Sequence, residues 1–163
     1  HKVHGIIFWL MGNLSSQEYP MVLIVSFYVL IGIFILLYHA RDLNLLVLGE
    51  ESAIQLGLEV EHTKKIAFIG ASLITGAAVS VSGLIGFVGI LIPHLMRMII
   101  GSDHRLLLPV AGLSGSIYLL LADTLARTLL APTEIPVGVI TAICGGPFFL
   151  YLLKKKGTGY FFS

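Results

Sequence analysis

Charged side chains are scarce in this chain: ten Lys and Arg against nine Asp and Glu make up 12% of its 163 residues, about half the share of a soluble domain. The formal net charge of +1 leaves no basic excess to neutralise a run of phosphates, which argues against nucleic acid as a partner. Cysteine occurs once, at Cys144, so neither a disulfide framework nor a cysteine-based zinc site can be built. No G-x-x-x-x-G-K-S/T phosphate loop and no H-E-x-x-H zinc motif occurs. The chain is therefore expected neither to hydrolyse nucleotide nor to hold a catalytic metal, and no cofactor is implied.

Apolar residues dominate what remains. They make up 56% of the chain, with mean hydropathy +0.96, and 18 glycines run through the apolar stretches. This is the composition of an all-α polytopic membrane protein, because a chain without water around it must satisfy its backbone inside helices. At about 20 residues per crossing, the length allows about five or six spans. Residues 19–38 and 135–153 are 20 and 19 residues without a charge, each enough to cross the hydrocarbon. Residues 66–96 form a 31-residue run whose only titratable group is His94, too long for one perpendicular helix and short for two. Gly83, Gly86 and Gly89 mark a break in its middle. Residues 106–131 are a further span with Asp123 and Arg127 in its second half, and residues 3–17 read as the tail of a helix whose start is missing. The chain begins with His1 and not Met, and is expected to be a piece of a longer protein.

The basic residues orient these spans, since Lys and Arg near span ends prefer the cytoplasm. With Lys154, Lys155 and Lys156 inside, the loop Ala131-Pro132-Thr133-Glu134 falls outside, and Arg97, Asp103, His104 and Arg105 fall inside. Arg41, Lys64 and Lys65 belong inside too, which requires the 66–96 run to cross twice or re-enter. Nine of the ten basic residues then lie on one side, with Arg127 on the other and Glu18 outside.

The largest polar insertion, residues 41–63, carries Glu50, Glu51, Glu59 and Glu61 interleaved with apolar residues, and Gly49 and Gly57 are expected to divide it into short helices. A helix lying on the membrane surface is usually rich in Lys and Arg. These acids therefore favour a docking element for a cytoplasmic partner.

Other motifs carry less. Ser72, Gly76 and Ser80, or Ala111 and Gly115, recur at four-residue spacing and serve close helix packing. Gly112-Leu113-Ser114-Gly115 matches the G-x-S-G pattern of intramembrane serine proteases, but no histidine follows it to act as base. His94 after Pro93 reads as an interhelical polar group in a kinked helix. An ion-coupled carrier or channel, the main alternative, normally keeps ionisable residues deep in its spans, and these spans hold almost none. Asp123 and Arg127, four apart, share a helix face and can pair. Alternatively, the outward Arg127 receives an acidic group from an external partner.

Four stretches in register resemble one family. They are Trp9-Leu10-Met11-Gly12-Asn13-Leu14-Ser15; Leu48-Gly49-Glu50-Glu51-Ser52-Ala53-Ile54-Gln55-Leu56-Gly57; Gly86-Phe87-Val88-Gly89-Ile90-Leu91-Ile92-Pro93-His94-Leu95-Met96-Arg97 with Asp103-His104-Arg105 and Leu108-Pro109; and Ala122-Asp123-Thr124-Leu125-Ala126-Arg127 followed by Glu134-Ile135-Pro136-Val137-Gly138-Val139-Ile140-Thr141-Ala142 and Gly146-Pro147-Phe148-Phe149. Together they resemble the FecCD-type permeases of ABC importers for iron-siderophore complexes, haem or cobalamin, over nearly the whole chain and as the C-terminal half of such a subunit. The resemblance implies a ten-helix subunit of the bacterial inner membrane, of which this chain holds the tail of the fifth helix and the sixth to tenth, with its C-terminus cytoplasmic. On that reading residues 1–163 comprise a partial span near 3–17, spans near 19–38, 64–83, 86–100, 106–131 and 135–153, and coupling helices within 42–61. The implied partners are a second permease copy, cytoplasmic ATP-binding subunits that hydrolyse ATP in place of this non-enzymatic chain, an external substrate-binding protein and the lipid bilayer. Gly49, Glu50, Glu51, Ser52, Ala53, Leu56 and Gly57 would form the contact with the ATP-binding subunit, and Arg127 the contact with the binding protein.

Overall fold

A computed structural model describes residues 2–14, 17–129, 131, 133 and 135–159. All its regular elements are α-helices: α1 (Lys2–Leu10), α2 (Tyr19–Tyr38), α3 (Ala40–Val47), α4 (Glu50–Gln55), α5 (Val60–Ser82), α6 (Val88–Ile100), α7 (His104–Thr128) and α8 (Val137–Gly159). Four of them, α2, α5, α7 and α8, are long and apolar enough to cross a membrane. At 1.5 Å per residue, the 13 residues of α6 reach only about 20 Å, short of the hydrocarbon thickness.

Several boundaries differ from the sequence expectation. α1 ends at Leu10 and not near residue 17, because the chain turns at Met11 and Gly12 takes φ +74°, a conformation that ends a helix. α5 starts at Val60, so the last residues of the expected coupling segment already belong to a long helix. Ser15, Pro132 and Glu134, named above in motifs or loops, lie outside the described residues.

The chain divides into two compact units. One comprises residues 1–14, 82–95 and 113–163. Its core is Ala122, Ala126, Val137 and Ile140, with Leu14, Ile85 and Ile135 packed against it. Between α5 and α6 the backbone is not helical, and its polar groups find partners in protein, as backbone at membrane depth must. The Trp9 carbonyl accepts the Leu84 N–H at 3.3 Å, and the Ser82 carbonyl accepts the Asn13 N–H at 2.9 Å. Gly138 of α8 lies so close to the Met11 carbonyl that any Cβ would overlap it. Phe87, with φ +67°, is the one non-glycine residue in the left-handed region among the described residues. Its carbonyl accepts the N–H groups of Ile90 and Leu91 and so starts α6. His94 of α6 stacks edge-on against Phe148 of α8, ring centroids 5.8 Å apart, an aromatic contact between the two helices.

The other unit comprises residues 15–81 and 96–112. Pro20 sits in the first turn of α2, where its missing N–H costs nothing. Gly32 is the single buried residue of α2. It meets α5 at Gly70 and Ile74, where an added Cβ would lie 3.0 Å from the Gly70 carbonyl oxygen. Close approach of the two backbones therefore occurs at the Gly32 and Gly70 pair. Ser72, Gly76 and Ser80, the stripe that the spacing favours, instead line a groove of about 360 Å³ with Met21, Ile24, Val25 and Tyr28.

Candidate docking surface

The segment between α2 and α5 is built by its two glycines. α3 ends at Val47 with Leu48 as its cap, and Gly49 takes φ +102° while its N–H donates to the Leu46 carbonyl at 3.1 Å. The same residue then serves as the cap of α4, its carbonyl accepting the Ala53 N–H at 3.0 Å. Glu50 and Glu51 fill the first turn of α4, where the helix dipole favours negative charge. α4 closes with a Schellman motif: the Gly57 N–H donates to Ile54 at 2.9 Å and the Leu58 N–H to Ala53 at 3.0 Å, with Gly57 at φ +85°. A Cβ at Gly57 would meet nothing within 4 Å. The demand on this position is therefore dihedral and not steric, and a side chain there costs about 1–2 kcal/mol.

Ala53 is fully buried, Val60 and Thr63 nearly so, and they anchor the segment. Val47, Leu48, Ile54 and Leu56 stand out from it, each 61% exposed, beside the exposed carboxylates of Glu50, Glu51, Glu59 and Glu61. Lys64, in the first turns of α5, pairs with Glu50 and lies 3.9 Å from Glu61. Such an exposed pair adds little stability. A groove of about 510 Å³ opens between Ile54, Leu58, Glu61, His62 and Lys65. The whole is a small apolar surface rimmed with acids, with both glycine turns in place.

Sequence reasoning missed one joint of this unit. Asn44 of α3 donates from Nδ2 to the Asp103 carboxylate at 2.7 Å and accepts the His104 backbone N–H at 2.7 Å. The His104 ring, in its Nδ1–H tautomer, donates to the same Asn44 oxygen at 2.8 Å. Asp103 accepts the Arg105 N–H at 3.0 Å, and its carbonyl accepts the N–H groups of Leu106 and Leu107, so it caps α7. The Asn44 hydrogen bond, followed by that from Arg105, holds the Asp103 carboxyl below the usual carboxylate range. It therefore remains charged down to lower pH than a free aspartate. Asp103 before an apolar run was a readable cap signal, but its partner 59 residues away was not.

The second expected site lies in the other unit. Arg127 is exposed in the last turn of α7, and its Nε donates to the Asp123 carboxylate at 2.8 Å. The local ion pair thus forms, and Arg127 still faces outward from its helix. Ser114 sits within α7. Among the described residues no cluster of His, Cys, Asp and Glu is placed to hold a metal ion.

Comparison with known proteins gives one answer. Residues 1–155 match the model of the FecCD transport family. The chain is 46% identical over 155 residues to the cobalamin import system permease of Halobacterium salinarum, covering 95% of this chain and 42% of that protein. It is 49% identical over 148 residues to the hemin transport system permease of Yersinia pestis, covering 91% and 44%. Its structure is similar to that of an inward-facing metal-chelate type ABC transporter, with TM-score 0.82 and 38% identity over 95% of this chain and 50% of the other. The chain thus spans about half the length of the relatives it matches. With four membrane-crossing helices and this match over nearly its whole length, it is a multi-pass membrane protein that belongs to the FecCD transport family.

Proposed function

We propose that this chain is the C-terminal half of a permease domain in an ATP-driven importer that moves iron-siderophore, haem or cobalamin-type substrates by alternating access. The observation that carries the reading is the exposed apolar surface of α3 and α4, rimmed by Glu50, Glu51, Glu59 and Glu61 and anchored through Ala53. Apolar side chains beside four carboxylates suit neither lipid nor water. They suit a protein groove. That partner is the cytoplasmic ATP-binding subunit, contacted by Gly49, Glu50, Glu51, Ser52, Ala53, Leu56 and Gly57, and hydrolysis takes place there. The relatives, a cobalamin permease and a hemin permease among them, support that substrate class. The complete transporter pairs two permease copies in the inner membrane, with the C-terminus of α8 cytoplasmic and Arg127 outward.

The test is uptake by the assembled transporter in proteoliposomes carrying its ATP-binding and substrate-binding subunits. Uptake is expected to follow ATP and to be indifferent to a collapsed ion gradient. Uptake that follows the gradient and ignores ATP would establish the ion-coupled alternative.

Arg127 gives a second prediction. Arg127→Glu places a carboxylate where an acidic group of the binding protein docks, and affinity is expected to fall about tenfold at low salt and less at high salt. Asp123→Asn removes the local pair but keeps the guanidinium, so affinity should hold. Equal affinity for Arg127→Glu and the parent, measured by surface plasmon resonance, would leave Arg127 with its local pairing alone.

A further inference from the structure

We propose that Asn44 is a positioning residue: it delivers a displacement of the α3–α4 segment to the N-terminus of α7. The inference rests on the docking role proposed above for that segment.

Among the described residues, Asn44 is the side chain of α3 that bonds to the start of α7, and it uses both ends of its amide. Nδ2 holds the Asp103 carboxylate and Oδ1 holds the first N–H of α7 at His104, each at 2.7 Å. The amide is planar and rigid, so the two bonds fix orientation as well as distance. If α3 moved and α7 did not, a charged carboxylate would lose its side-chain donor and a helix-terminal N–H its acceptor. Losing hydrogen bonds to a charged group costs more than losing neutral ones. The lower-energy response is for the two to move together. α7 is a continuous helix of 25 residues, long enough to act as a lever on whatever packs along it. Lys64 and Glu50 also pair between α4 and the start of α5 in the same unit, but that pair is exposed and weak, so the amide clamp is the firmer link.

The experiment uses the assembled transporter in proteoliposomes and reads substrate imported per ATP hydrolysed. Asn44→Asp removes the donor and sets one carboxylate against another, and the ratio is expected to fall about tenfold while ATP hydrolysis continues. Combining Asn44→Asp with Asp103→Asn exchanges donor and acceptor across the joint, and should restore most of the ratio. A merely structural role would lower yield and both rates together, and would not be rescued by the exchange. The proposal is overturned if Asn44→Asp leaves the ratio unchanged, or if the exchanged pair is as impaired as the single variant. A measurement free of these variants uses spin labels at the exposed positions Arg41 of α3 and Ser102. Their separation should be unchanged between nucleotide-free and ATP-bound states, and a change would overturn the joint. Absence of any ATP-driven uptake in the parent would instead refute the docking role itself.

Discussion

Gly57→Asp should cut uptake about tenfold while ATP hydrolysis continues, measured on the assembled transporter. Two effects must be separated. At φ +85° a side chain strains the backbone, but Asp and Asn are the residues that tolerate this region best, so the cost stays near 1 kcal/mol. With no atom within 4 Å of the new Cβ, nothing need shift, and the Schellman turn can still close. The larger effect is the charge. It is added at the end of α4, two residues from Glu59 and four from Glu61, on the surface taken to meet the ATP-binding subunit. A tenfold loss is about 1.4 kcal/mol, within reach of one misplaced charge at a desolvating contact. Gly57→Asn imposes the same backbone demand without charge, and should keep at least half of the uptake. If Asn and Asp variants behave alike, turn geometry and not charge governs coupling; normal uptake in both would remove α4 from the docking surface.

Gly138→Val should severely damage folding. The added Cβ would overlap the Met11 carbonyl and approach the Leu84 carbonyl oxygen at 3.3 Å. Both obstacles are backbone and cannot swing aside as a side chain can. Val137 and Thr141, near it on α8, are buried, so a retreat of α8 would disturb the core around them. Overpacking of this kind costs about 3 kcal/mol or more. The expected outcome is loss of the monodisperse peak on size-exclusion chromatography in detergent. Gly76→Ala, a position with nothing within 4 Å, is the control and should elute as the parent does. An unchanged profile for Gly138→Val would mean that α8 does not approach residues 11 and 84 as described.

Much of this architecture was legible in the residues, for identifiable reasons. An uninterrupted apolar run such as 19–38 declares a helix because lipid leaves the backbone no other partner, and Gly49 and Gly57 declare turns because their φ values suit little else. Glu50 and Glu51 were readable as exposed because acids on an amphipathic segment fit neither bilayer nor core. What stayed hidden was pairing between distant residues. Spacing pointed to Ser72, Gly76 and Ser80 as the close-packed stripe of α5, whereas the backbones meet at Gly70, whose partner Gly32 lies 38 residues earlier. Small size permits close approach but does not say which small residue is used. The Asn44 joint was hidden for the same reason: an amide four residues into a short helix looks like ordinary surface until Asp103 is beside it. The end of α1 at Leu10 was missed because no charge interrupts residues 5–17, while the turn depends on a hydrogen bond to Ser82.

The crossing of α2 and α5 has a mechanical meaning. Two helices zipped along a seam of interlocked side chains resist any change of angle, because every tooth must disengage. Here α2 buries one residue, Gly32, and beyond it the helices part around a groove of about 360 Å³ walled by small side chains on the α5 side. Such a contact is a bearing: the angle can change about the glycine pair while little buried surface is surrendered, and the groove is clearance for the swing.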